Sequence, residues 1–133
     1  MVAGVALLLL AGPWVLYWVG LHGVQGTPEP PKLLATREQQ LEVWRLARGS
    51  TEPTVVVLNP YTYLPLASRT GEHKPALLVA WWVASDFNLQ HQRYQGMLWW
   101  QLSGAAFTIW LTRNWSIEQL LSEAAEGRGK SAA

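Results

Sequence analysis

At 133 residues the chain has room for one small domain, less whatever it commits to a membrane or to targeting. Charged residues are only 14% against roughly 25% in ordinary globular proteins, while hydrophobic residues reach 50% and nine tryptophans are present, a balance that points to a membrane or a partner surface. The net charge of +1, with ten Lys and Arg scattered from Lys32 to Lys130, excludes a phosphate-gripping patch and so nucleic acid as a ligand, and the lack of Cys excludes a disulfide framework, a thiolate metal site and a cysteine nucleophile.

The opening MVAGVALLLLAGPWVLYWVGLHG carries no charged side chain through Leu21. Roughly 20 apolar residues at 1.5 Å rise suffice to cross a hydrocarbon core, so residues 1–23 read as a single transmembrane anchor. Pro13 kinks such a helix without breaking it in lipid, and Trp14, Tyr17 and Trp18 gather in its second half as interfacial anchors do. The competing reading is a cleaved signal peptide with an exit at Val24-Gln25-Gly26. The length of the apolar run, and the absence of a preceding Lys or Arg, favour a retained anchor. Lys32 and Arg37 after the span favour a cytoplasmic body, whereas the signal-like context and Pro-rich exit favour an extracytoplasmic, periplasmic one, the expectation adopted.

Residues 24–35 read as a spacer. TPEPPK at Thr27–Lys32 places three prolines in six residues, which predicts an extended, semi-rigid segment that holds the body off the membrane. The body, residues 36–126, then opens with a capping box at Thr36 and Gln39, a helix to about Arg48 with Leu41, Trp44 and Ala47 on one stripe, and Gly49 as its stop. A short extended segment follows near 54–58, ended by Asn59-Pro60. Ser68–Lys74 reads as a polar loop that Pro75 closes at a helix start.

Ala76–Ala84 is wholly apolar but too short to span, as is the run from Met97 to Leu111, so two short helices are predicted to face each other across Asp86–Gln95. In the second, Gln101, Gly104, Thr108 and Thr112 draw a small or polar stripe that faces water on a soluble body and forms a helix-contact seam in lipid. Ser116 and Gln119 repeat the capping box before a last helix with Ile117, Leu120, Leu121 and Ala124 on one face, ended by Gly127, with 127–133 a flexible tail. The expected fold is therefore mainly α: an N-terminal transmembrane helix, a body of three to four short helices, and one extended segment.

Acids that could do chemistry are few, with Asp86 the single Asp and Glu72 the single Glu between Glu52 and Glu118. Either would have to carry any catalysis, and none is expected. His73, Asp86 and His91 lack the spacing that orients imidazoles on one ion, so no metal and no cofactor are expected. Ser85, Asp86 and His91 do not make a triad, because adjacent Ser and Asp point apart and no nucleophile elbow surrounds Ser85. The binding candidates are aromatic: Tyr61, Tyr63, Tyr94 and the pairs Trp81-Trp82 and Trp99-Trp100. Neighbours on a helix diverge by about 100°, so within each pair the two rings are predicted to address different partners, one in the core and one outward.

ALLVAWWVASDFN followed by GMLWWQL, within residues 76–102, resembles the lytic transglycosylase or goose-lysozyme-like domain, in which an apolar helix ends in Glu-Ser-x-Phe-Asn and a later helix begins Gly-Leu-Met-Gln. Ser85, Phe87 and Asn88 match the first motif; Gly96, Met97 and Gln101 loosely match the second. Ala84 stands where that family carries its catalytic glutamate, the motifs lie closer together, and the family's later Ala-Tyr-Asn segment is absent. The resemblance implies a relative that holds glycan strands without cutting them. The leading expectation from the residues is different: a membrane-anchored, non-enzymatic envelope protein, an accessory or assembly subunit that docks protein partners through an aromatic surface. A small multi-span membrane subunit is the third reading.

Overall fold

The computed structural model describes residues 2–49, 52–54, 57–61, 74–94 and 96–132, with the side chains of Lys74 and residues 128–132 outside that description. The predicted Tyr63, Glu72 and His73, the Ser68–Gly71 part of the polar loop, and Val55 and Val56 of the extended segment lie outside the described residues. The fold is mainly α, as expected, with helices α1 (Val2–His22), α2 (Arg37–Leu46), α3 (Lys74–His91), α4 (Met97–Asn114) and α5 (Ile117–Ala132). Among the described residues there is no strand, only an isolated antiparallel bridge between Val24 and Gln92.

The helices pack in the order α1, α4, α3, α5, α2. The central pair, α3 and α4, presents bulky apolar side chains on both flanks, so each is covered on two sides. The main core joins Val43 and Trp44 of α2 with its C-cap Ala47, Val79, Ala80, Val83 and Ala84 of α3, Phe107 and Leu111 of α4, and Leu120, Leu121 and Ala124 of α5. A second cluster holds Tyr17, Leu58, Leu77, Ala106 and Ile109. Both capping boxes form as read: Thr36 and Gln39 exchange their bonds at 3.2 and 3.0 Å, Ser116 and Gln119 at 3.2 and 2.9 Å.

Several boundaries differ from the expectations. Asp86–His91 are helical, not loop, because Phe87 and Asn88 turn inward: Phe87 packs on Phe107, and Asn88 is buried with its amide donating to the Trp100 carbonyl at 3.3 Å. The polar look of that stretch is simply its outer face. Just past α2 the backbone turns left-handed at Arg48 (φ 66°), one residue before Gly49. The Arg48 and Gly49 amides donate to the Arg45 and Trp44 carbonyls, a Schellman closure, and Gly49 is needed because a Cβ there would strike the Trp44 ring. Gly127 does not end α5, which runs to Ala132.

Of the two readings of the stripe on α4, the water-facing one fails and contact with neighbouring segments holds. Gly104, Thr108 and Thr112 are buried, with Gln101 alone exposed. The hydroxyls are satisfied locally, Thr108 donating to the Gly104 carbonyl at 2.7 Å and Thr112 to that of Ile109 at 2.8 Å, so they need no water. Gly104 instead receives the Trp81 ring.

Residues 24–35 do not hold α1 away. Gly23 and Gln25 bond by backbone to Arg93 and His91, Val24 and Pro28 are buried, and the Ala35 amide donates to Ser122 Oγ at 2.9 Å. The segment is strapped across the body, and the second half of α1 enters the core. There α1 runs antiparallel to α4: Gly20 meets Leu102 and Ala106, Gly23 meets Trp99 and Ser103, and Trp14 meets Arg113. A Cβ at Gly20 would come within 2.7 Å of the Leu102 carbonyl oxygen, so backbone touches backbone.

Gly20→Leu is therefore expected to destabilise the full chain in detergent by about 1–3 kcal/mol, toward the upper end because the obstacle is backbone. Arg48→Gly should act in the opposite direction, relieving about 1 kcal/mol of left-handed strain. Urea unfolding followed by circular dichroism reads both signs.

Candidate functional site

Two surfaces emerge from this packing, at the outer side of α1 and at the far end of the α3–α5 contact. The first begins with composition. α1 is apolar all round and covered on one narrow face only, with Pro13, Trp14, Tyr17, Gly20 and Leu21 against the body and Leu7–Leu10, Val15, Leu16, Trp18 and Val19 exposed. At 1.5 Å per residue its 21 residues measure about 32 Å, and it is the one helix among the described residues long and apolar enough to cross a membrane.

Aromatic rings cluster on α1 from its middle into its second half. Trp14 lies 5.9 Å from Tyr17, 6.5 Å from Trp18 and 6.4 Å from Tyr61, and the Arg113 guanidinium stands 5.7 Å from the Trp14 ring centre. The Tyr61 hydroxyl donates to the Leu10 carbonyl. Sequence reasoning singled out Trp14, Tyr17, Trp18 and Tyr61 but missed Arg113, which looks in sequence like an ordinary basic residue ending α4. Residues 57–61 reach this cluster without strand partners. The Leu58 amide donates to Thr112 Oγ1 at 3.0 Å, and its carbonyl accepts from Arg113 at 3.2 Å, so two α4 side chains replace the missing ladder.

Alongside, α1 and α4 leave an apolar cleft of about 510 Å³ lined chiefly by Leu16, Tyr17, Leu98, Leu102, Ala105 and Ile109.

The second surface is a cavity of about 410 Å³ lined by Trp81, Trp82, Ser85, Asp86, Trp100, Ala124 and Gly127. Trp81 and Trp82 thus share one cavity, contrary to the divergence expected of adjacent helical residues. Two rings 100° apart can wall a space wider than either, and Trp100 from α4 adds a third. The other pair does separate: Trp99 turns to Tyr94, with ring centres 4.6 Å apart, and away from the cavity. All four tryptophans are half-buried. Ser85 Oγ is buried with no hydrogen-bond partner, and Asp86 is exposed with no ion-pair partner among the described residues.

Among the described residues no three His, Cys, Asp or Glu side chains converge to hold a metal. His91 stacks on Phe87 at 4.2 Å and bonds to its carbonyl at 3.1 Å, which occupies one ring nitrogen. Ala84, which the transglycosylase resemblance would set against that family's glutamate, is fully buried in the main core and lines neither space described above. No family model, curated protein or solved structure matches the chain.

Thr112 is the hinge of the cluster's second strand of contacts. Thr112→Val leaves the buried Leu58 amide without its acceptor, an expected loss of about 1–3 kcal/mol. Hydrogen exchange at the Leu58 amide should accelerate while the amides of α5 stay protected.

Proposed function

We propose that this chain is a membrane-anchored, non-enzymatic subunit of an envelope complex, held at the bilayer by α1, with its body on the extracytoplasmic side. The observation that carries the reading is the exposed apolar surface of α1: the helix is apolar on every face, and the body covers one of them. A soluble chain that left Leu7–Leu10 open to water would aggregate, since contiguous apolar patches of that kind mark membrane or protein contacts.

The accessory role draws on the tryptophan cavity. Three half-buried indoles around an open space offer large area at little entropic cost, the composition of binding hot spots. Asp86 beside them is an acceptor lacking an ion-pair partner among the described residues, so a partner side chain that brings a cation finds both an aromatic wall and a counter-charge. Docking there desolvates the indoles.

Both halves are testable in native membranes. Full-length protein is expected to stay in the pellet after an alkaline carbonate wash, and the double change Leu8→Lys with Leu9→Lys to release it, since it sets two charges in the exposed apolar surface that makes the lipid contact. Recovery of the unmutated protein in the supernatant would sink the anchor. A cross-linked partner should depend on the cavity: Trp82→Ala and Asp86→Asn should each reduce its yield, while Glu38→Gln, on α2, leaves it unchanged. Equal yields from all of them would remove the cavity from the docking surface.

A further inference from the structure

Hydropathy treats α1 as a rod that crosses the bilayer end to end. The packing does not allow that placement. The level of α1 from Trp14 to Leu10, its middle, is where α4 ends: Arg113 and Asn114 are exposed there, the chain turns through Trp115 and Ser116 into α5, and residues 57–61 pass alongside. A helix crossing upright would carry an arginine, an asparagine and irregular backbone to the middle of the hydrocarbon, where charge and unpaired backbone groups are most costly. The aromatic cluster points the same way. Trp and Tyr gather at headgroup level, which an upright span reaches at its two ends, whereas Trp14 and the Tyr61 ring packed on it lie beside the middle of α1.

The layer order supplies the alternative. The molecule grades from apolar to polar across its layers. At one edge α1 exposes Leu16 (56%), Trp18 (59%) and Val15 (50%), and α4 adds Met97 (71%) and Leu98 (78%) beside the apolar cleft. At the opposite edge α2 and α5 expose Arg37, Glu38, Glu42, Arg45, Glu118 and Glu126, with Leu46 the one large apolar exception among the exposed residues of those two helices described. Apolar surface therefore continues from α1 onto α4, where a rod-like anchor has no use for it.

We infer that the protein is monotopic: α1 lies in the plane of the bilayer, sunk to acyl level so that its uncovered faces, Leu7–Leu10 among them, meet lipid, and the contact continues onto α4, with acyl chains filling the cleft between Leu16 and Leu98. This rests on the membrane reading proposed above and replaces a span by a face. Arg113 and Tyr61 flank that face at the depth of the headgroups, and the polar layer of α2 and α5 faces water.

The absence of Cys in the chain makes the test clean. Single variants Leu16→Cys, Leu98→Cys, Leu33→Cys and Leu46→Cys of the full-length protein are placed one copy per nanodisc of phosphatidylethanolamine and phosphatidylglycerol, both faces of which are open to a water-soluble maleimide. All four positions are exposed in the fold, so none of the changes disturbs the core. Leu16→Cys and Leu98→Cys are expected to lose labelling, with Leu33→Cys and Leu46→Cys labelled fully. Labelling of Leu98→Cys at the rate of Leu46→Cys overturns the inference, because an upright or half-inserted α1 leaves the start of α4 in water. Protection seen only when several copies share a disc overturns it too, since a second copy then covers the cleft. Failure of the membrane reading itself shows separately, as protein that does not enter the discs.

Discussion

Everything in this molecule depends on the contact between Gly20 of α1 and the Leu102–Ala106 turn of α4. Lacking a Cβ, Gly20 lets the two backbones touch, and Ser103 fastens them by donating to the Gly20 carbonyl at 2.9 Å. That bond is buried, and a hydroxyl paired with a carbonyl away from water is worth more than its count suggests, because either group left alone costs the full desolvation. Through it, Tyr17, Leu21 and Val24 become core residues, and an apolar tail becomes the first layer of the fold.

The consequences run outward from there. Because α1 is bound along its second half, residues 24–35 cannot act as a free tether and are strapped across the body to Ser122. Because α4 is occupied by α1 on one flank, it meets α3 on the other, where Gly104 admits the Trp81 ring. That placement swings Trp81, Trp82 and Trp100 around one cavity and leaves Trp99 to Tyr94. The exposed apolar edge of α1 and α4 and the tryptophan cavity thus have separate linings on the same helix pair, so one can be occupied without obstructing the other.

Local chemistry was legible wherever a feature closes on itself within a few residues. Both capping boxes need only a hydroxyl and a glutamine three positions apart, and both form. The stripe of Ile117, Leu120, Leu121 and Ala124 is buried as its period requires. Legibility failed where two segments had to meet. The α4 stripe reads as facing either water or another helix, and only the fold sets Trp81 on Gly104 and Leu58 on Thr112; Asp86–His91 read as loop until Phe107 and Trp100 give Phe87 and Asn88 something to hold; and Gly49 reads as the helix stop when its role is to clear the Trp44 ring. Arg113 carried no signal at all, for its partners Trp14 and Leu58 are distant in sequence.

By itself, then, the sequence determined the helical class, the caps, the amphipathic outer helices and the apolar character of the first 23 residues, all of which follow from periodicity and neighbour chemistry. Which neighbours those apolar residues take was decided by tertiary structure alone. Hydropathy measures the preference of a side chain for leaving water, and that preference is the same whether it ends in lipid or against another helix. Only the close approach at Gly20 divides the faces of α1, giving one to the core and leaving the others exposed.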